Sequence, residues 1–216
     1  APVKSFVDAN CTVTTLAGTS TDQIQASRFL IQSTFGPSRS DIASFMTLPG
    51  VDHKARASNW INAQFAMPRS QKHFQYSLDR KAEYDAQIPP AVFYSEMSRE
   101  TFWKQALKSP DQLRQRLAFA LSEVLVVSAN GGSSDPFELA AYLDLLADNG
   151  YGNFRDVLYK MALSPAMGEY LSHLRNDGGS AQPNENFARE ILQLFGVGLV
   201  MLNPDGTPTT TPAYDE

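Results

Sequence analysis

The stretch DQLRQRLAFALSEVLVV, Asp111–Val127, decides the fold. Leu113, Leu117, Leu121, Val124 and Leu125 fall at the three- and four-residue spacings of a helix with one apolar side. From Leu117 to Ala129 the only charge is Glu123, so the segment reads as a helix buried on nearly all sides. Ser109-Pro110 ends the element before it. Asn130-Gly131-Gly132-Ser133-Ser134-Asp135-Pro136 follows as a loop, with Pro136 suited to the first turn of the next helix.

The same signals recur outward from this segment. Ser20 or Thr21 caps a helix through about Thr34, with Ile24, Phe29, Leu30 and Ile31 as its apolar side and Gly36-Pro37 as its stop. Ser38 caps a short helix ending near Pro49-Gly50, and Trp60, Ile61 and Phe65 share one side of residues 53–66. Residues 71–87 form a more polar, surface-facing helix. Beyond Pro89-Pro90, residues 91–108 align Phe93, Met97, Phe102, Trp103 and Leu107. Leu139, Tyr142, Leu143 and Leu146 repeat the helical period, Asn153 caps a helix to Leu163, and Ser164-Pro165 opens another. The last helix spans about Asn184 to Phe195, and Gly196-Val197-Gly198 caps and turns it. No series of period-two runs appears. The expected fold is all-α: an irregular multi-helix bundle over 21–202, an extended arm over 1–20, and a loop-like Pro/Thr-rich tail over 203–216.

Composition narrows the function classes. Hydrophobic residues make up 43% and charged residues 19%, the balance of a globular chain. The net charge of −5 argues against a general nucleic-acid or anionic-membrane binder. No apolar run reaches the length of about 20 residues that a spanning helix needs. The opening Ala1-Pro2-Val3 matches a mature N-terminus left by signal-peptide cleavage, or a cloning scar. Cys11 is the only cysteine, either a free thiol or one paired outside the chain.

Polar chemistry concentrates in Asn184-Glu185-Asn186-Phe187-Ala188-Arg189-Glu190. Glu185 precedes Arg189 by four residues, the favourable order for a helical ion pair, and Asn186 and Glu190 repeat that spacing. On the central helix, a buried Glu123 needs a cation or hydrogen-bonding partner, and Arg116 and Arg189 are the natural ones. The expectation is an Arg–Glu–Asn network joining the two helices. It reads as a register-fixing device, or as a cleft whose carboxylates do acid/base work or hold a polar ligand. A calcium or magnesium ion near Asp177, Glu185 and Glu190 is a third reading, although the spacing matches no known loop. No cofactor is otherwise implied.

Other chemistry is missing. His53, His73 and His173 belong to no zinc motif; His173 reads as helix-end placement. There is no nucleophile elbow, phosphate loop or dinucleotide fingerprint. Trp60 and Trp103 read as core rather than as a sugar-stacking platform.

Five segments in order carry a family resemblance: Arg28–Pro37, Leu113–Glu123, Tyr151–Asp156, Ser164–Met167 and Asn184–Glu190. Together they resemble the bacterial family called domain of unknown function 1800, from about Gln23 to the end. The resemblance implies an exported protein, secreted, periplasmic or on the cell surface, often encoded beside a secreted sulfatase- or phosphatase-like partner. It implies no established reaction. Members usually continue beyond Tyr214, so the resemblance implies that this chain is the first half of a larger domain, completed by its C-terminal half or a companion chain. Two function classes follow. One is an enzyme or enzyme subunit acting on an extracellular polar substrate such as a glycan. Its candidate catalytic residues are Glu123, Glu185, Arg189 and Glu190, with Arg116, Asn184 and Asn186 for binding. The other is a non-catalytic scaffold or cell-surface assembly protein whose polar network is structural.

Overall fold

The computed structural model describes residues 5–7, 13–15, 20–87, 96–129, 135–177 and 183–214. Cys11, Pro89-Pro90, Asn130–Ser134 and Gly178–Ser180 lie outside the described residues. The chain forms two compact units, Ala1–Met67 and Pro68–Glu216. Ten helices and two small antiparallel strand pairs are described, so the all-α expectation holds.

In the first unit, β1 (Ser5–Val7) pairs with β2 (Val13–Thr15) within the expected extended arm. Helix α1 (Thr21–Ser33) starts on a capping box: the Ser20 hydroxyl accepts from the Gln23 amide while the Gln23 side chain accepts from the Ser20 amide. Ser38 and Asp41 repeat that device at α2 (Arg39–Met46), and Asp52 caps α3 (His53–Ala66). Each cap satisfies an amide that the helix itself cannot. The unit's core is Ala26, Leu30 and Phe45, walled by Phe29, Ile42, Met46 and Trp60. The Phe29 ring meets Phe45 at 5.3 Å and the edge of Trp60 at 5.4 Å. Ile24 and Ile31, expected on the buried side of α1, are instead 46% and 53% exposed. The inward stripe runs through Ala26 because small Ala26 lets the aromatic wall close over the helix. Gly50 has φ +148°, and a Cβ there would lie 2.8 Å from the Arg56 amide nitrogen, so only glycine fits this turn.

The second unit is organised around α7 (Pro136–Asn149), which is apolar on several sides and touches α4 (His73–Asp85), α5 (Glu96–Lys108), α6 (Gln112–Val124), α8 (Phe154–Ala162) and α9 (Pro165–Tyr170). Pro136 occupies its first turn, as the sequence predicts, and Asp135, read from the sequence as loop, caps it. Its Tyr142, Leu146 and Ala147 pack with Ala118, Leu125, Val157, Met161, Met167 and Phe195. Each fully buried large aliphatic side chain there contributes roughly 1.5–3 kcal/mol. Asn153 and Ser164-Pro165 start α8 and α9, and α10 spans Asn186–Gln193.

Helix α6 differs from its sequence reading. Its fully buried positions are Gln115 and Ala118, followed by Leu125 just past its end; Val124 is 49% exposed and Glu123 is exposed. The helix is therefore half-buried rather than enclosed: it packs on α7 and α5, and its buried Gln115 bonds polar partners, Asp111 and His73, rather than apolar core. Helix α4, expected at the surface, packs against α7 and α5 and turns His73 and Ser77 inward.

The tail also departs from a loop. β3 (Val200–Leu202) pairs with β4 (Pro208–Pro212), Val200 opposite Pro212 and Leu202 opposite Pro208. A two-stranded pair has outward edges that tolerate proline, and Thr209–Thr211 supply β-branched side chains between the two prolines. Asn203 and Thr207 close the turn by a 2.9 Å backbone bond, with Gly206 at φ +84°.

Candidate functional site

Two polar constellations stand out in the second unit, and they differ in exposure. The first is buried. Helix α4 has Lys72 at its N-cap, which gives no side-chain cap. Asp144, from the middle of α7, supplies it instead: its carboxylate accepts from the backbone amides of His73 at 2.8 Å and Phe74 at 2.9 Å. This is a cap delivered from another helix, and it sets a negative charge on the positive end of α4. The Arg69 guanidinium binds both Asp144 and Asp148, and Lys72 reaches Asp148 at 3.1 Å. Burial works against the Asp148 charge, but the Lys72 hydrogen bond and the Arg69 charge outweigh it and hold this carboxyl below its ordinary value.

Asp111 is the second anchor of the buried group and is fully enclosed. It accepts from the Ser70 hydroxyl, the Ser70 amide at 3.3 Å and Gln115 at 3.2 Å, with Arg114 at 3.5 Å. His73, 2% exposed, lies between these carboxylates, its Nδ1 3.1 Å from the Thr101 hydroxyl. Burial pulls its imidazole down to about 4, against the raising influence of Asp144. Both carboxylates thus have bonded partners, and none of these residues lines the cavity described next. The arrangement locks α4, α5, α6 and α7 together; it presents no reactive group to a ligand.

The second constellation is open. A cavity of about 450 Å³ lies among α5, the end of α6 and α7. Helix α5 contributes Ser98, Arg99, Phe102 and Trp103; α6 and its continuation contribute Ser122, Glu123 and Val126–Ala129; α7 contributes Leu139, Tyr142 and Leu143. It is a broad depression open to solvent, with a volume in the small-molecule range. Arg99 and Trp103 are four residues apart, so α5 presents them on one side. Trp103 is 58% exposed, propped against the Phe102 ring at 5.3 Å, which corrects its reading as core. Tyr142 forms part of the floor and donates to the Leu125 carbonyl at 2.6 Å; burial pushes its phenol up.

The residues singled out in the sequence divide between this cavity and a distant surface. Glu123 lines the cavity. Its exposure removes the need for a buried cation, and neither Arg116 nor Arg189 is paired with it: Arg116 lies over the Phe119 ring, and Arg189 pairs with Glu185 at 3.5 Å. The expected network between the central helix and α10 therefore does not form. On α10 the Glu185–Arg189 pair is solvent-exposed, with side chains 80% and 50% accessible, and Arg189 also reaches Asn186 at 3.5 Å. Asn184 exchanges two 2.7 Å bonds with Asn176, closing the segment before the helix, and Glu190 is partly buried near the helix end. No three His, Cys, Asp or Glu side chains gather to hold a metal among the described residues, Asp177, Glu185 and Glu190 included. His173, expected near the end of its own helix, lies beyond the end of α9; it instead bonds the Ala162 carbonyl at the end of α8 at 2.9 Å and stacks on Phe187. No helix among the described residues is long and apolar enough to cross a membrane.

Sequence reasoning passed over Arg99, His73, Asp111 and Asp144. A signal for Asp144 was present: a single acidic residue inside the apolar run Leu139–Leu146 must find a partner when buried. A family model described as "Protein of unknown function (DUF1800)" matches residues 28–216. No curated protein and no solved structure matches the chain.

Proposed function

We propose that this chain, which belongs to the DUF1800 family, is an exported bacterial protein that binds a sugar-like polar ligand in the cavity between α5, α6 and α7. The observation that carries the reading is Trp103: a large aromatic face left 58% exposed at a concave site that also holds two charged side chains and three serines. A sugar ring offers an apolar C–H face to stack on an indole and hydroxyls at its edge for Ser98, Ser122 and Glu123. Covering about 100 Å² of such surface supplies roughly 2.5 kcal/mol, enough for a weak but specific contact.

The same lining separates binding from hydrolysis. Glycoside cleavage uses a pair of carboxyl groups about 5–10 Å apart. Glu123 is the only carboxylate among the described lining residues, which supports binding rather than glycoside cleavage in this cavity. Glu185 and Arg189 then belong to the exposed surface of α10, with Glu190 partly buried beside them. A scaffold role is compatible with this reading and draws on a second observation. Leu192, Leu194, Val197, Leu199, Met201 and Leu202 are all at least 40% exposed along one short stretch, an apolar surface of the kind that meets other proteins. Export rests on the family resemblance.

Calorimetric titration with a panel of oligosaccharides, followed in parallel by Trp103 fluorescence in a Trp60→Phe background, tests the reading. Millimolar or tighter binding, weakened at least tenfold by Trp103→Ala with no change in melting temperature, is the expected result. Absence of binding across the panel, or equal binding by Trp103→Ala, overturns it. Fractionation of the native host, with the protein expected outside the cytoplasm, checks export.

A further inference from the structure

The two charges in the cavity point to the charge of its ligand, an inference that rests on the binding role proposed above. Arg99 comes from α5 and Glu123 from α6, so they stand on different walls of the same cavity. Neither forms an ion pair with the other or with any other described residue. Other charges of this unit are spent on one another: Arg69 with Asp144 and Asp148, Arg80 with Glu83 and Glu100, Lys81 with Asp85. Arg99 lies one turn before the exposed Trp103 indole on the same side of α5, within the same lining, so its guanidinium can receive a carboxylate on a ring stacked there. An uncompensated carboxylate on the facing wall favours an ammonium and disfavours a second anion.

We infer that the cavity selects a zwitterionic sugar, one whose ring carries both a carboxylate, met by Arg99, and an amine, met by Glu123, while Trp103 covers the ring face. A purely acidic sugar satisfies Arg99 but faces repulsion from Glu123; a purely basic one meets the reverse. Only a ligand with both groups gives each charge a partner.

Four probes separate these cases: glucose, glucuronic acid, glucosamine and muramic acid, which is an amino sugar bearing a carboxylate. Titrated at low salt and pH 7, muramic acid is expected to bind more than tenfold tighter than glucose, since each partly exposed charge pair is worth up to about fivefold. Arg99→Gln should cost about fivefold for muramic and glucuronic acids and leave glucosamine unchanged. Glu123→Gln should cost the same for muramic acid and glucosamine and improve glucuronic acid. Both positions are exposed, so both variants should melt with the parent protein. Equal affinity for all four probes overturns this inference and leaves the sugar-binding reading standing. Tighter binding of glucuronic acid than of muramic acid assigns an acidic-sugar site and also overturns it. No binding of any probe, with no response across the oligosaccharide panel either, overturns both.

Discussion

Removing the Asp144 carboxylate should destabilise the second unit more than any surface change. In Asp144→Ala two amides at the start of α4 lose their acceptor, and Arg69, only 14% exposed, loses one of its two carboxylates. Loss of a helix cap costs about 1 kcal/mol. Breaking a buried ion pair by deleting one partner costs about 3–5 kcal/mol. The two losses share one carboxylate and Asp148 still holds Arg69, so the expected total is about 4 kcal/mol rather than the sum. That is a large part of the 5–15 kcal/mol typical of a folded chain. In urea, with a slope of about 2 kcal/mol per molar, the midpoint should fall by about 2 M. Trp103 fluorescence in a Trp60→Phe background reads the unit that holds Asp144, and circular dichroism follows both units. Asp144→Asn keeps an oxygen for the α4 amides but not the charge, so it should fall between the parent and Asp144→Ala. A double-mutant cycle with Arg69→Ala should return a coupling of about 2 kcal/mol or more. A midpoint shift below about 0.5 M for Asp144→Ala, or strict additivity in the cycle, would refute the assignment of this network as the clamp on α4.

The pH dependence of stability should carry a signature of His73. Its folded imidazole sits at about 4 against an ordinary 6.5, so the unfolded chain takes up the proton first as pH falls. The stability contributed by the neutral, buried ring is complete above pH 6.5 and is lost progressively down to about pH 4, by about 3 kcal/mol. His73→Gln should show a shallower fall than the parent over that window, measured by urea titration at several pH values. Leu146→Ala, which empties a fully enclosed position beside Tyr142 and Met161, should cost 2–5 kcal/mol by the same assay. Arg189→Lys, in contrast, touches an exposed pair and should change stability by less than about 0.5 kcal/mol; a multi-kcal/mol loss would mean that α10 is held by more than its own turn.

What the sequence determined by itself was local. Ser20 with Gln23, Ser38 with Asp41, Asp135-Pro136, Asn153 and Ser164-Pro165 each mark a helix start where the structure has one, because a capping side chain bonds an amide two or three residues away. Glu185 and Arg189 pair for the same reason: four residues of helix fix their distance. The five ordered motifs were likewise enough for family membership. Tertiary structure decided everything that depends on which helices face each other. Arg69 and Asp144 are 75 residues apart, and no periodicity in either segment announces the other. Glu123 looked buried because its neighbours are apolar, yet apolar residues fill both the inner and the outer face of α6, and only packing against α7 selects the side that carries Ala118. Trp103 looked like core for the same reason. The opening among α5, α6 and α7 made it a platform, and set Arg99 and Glu123 across one cavity with their charges unspent.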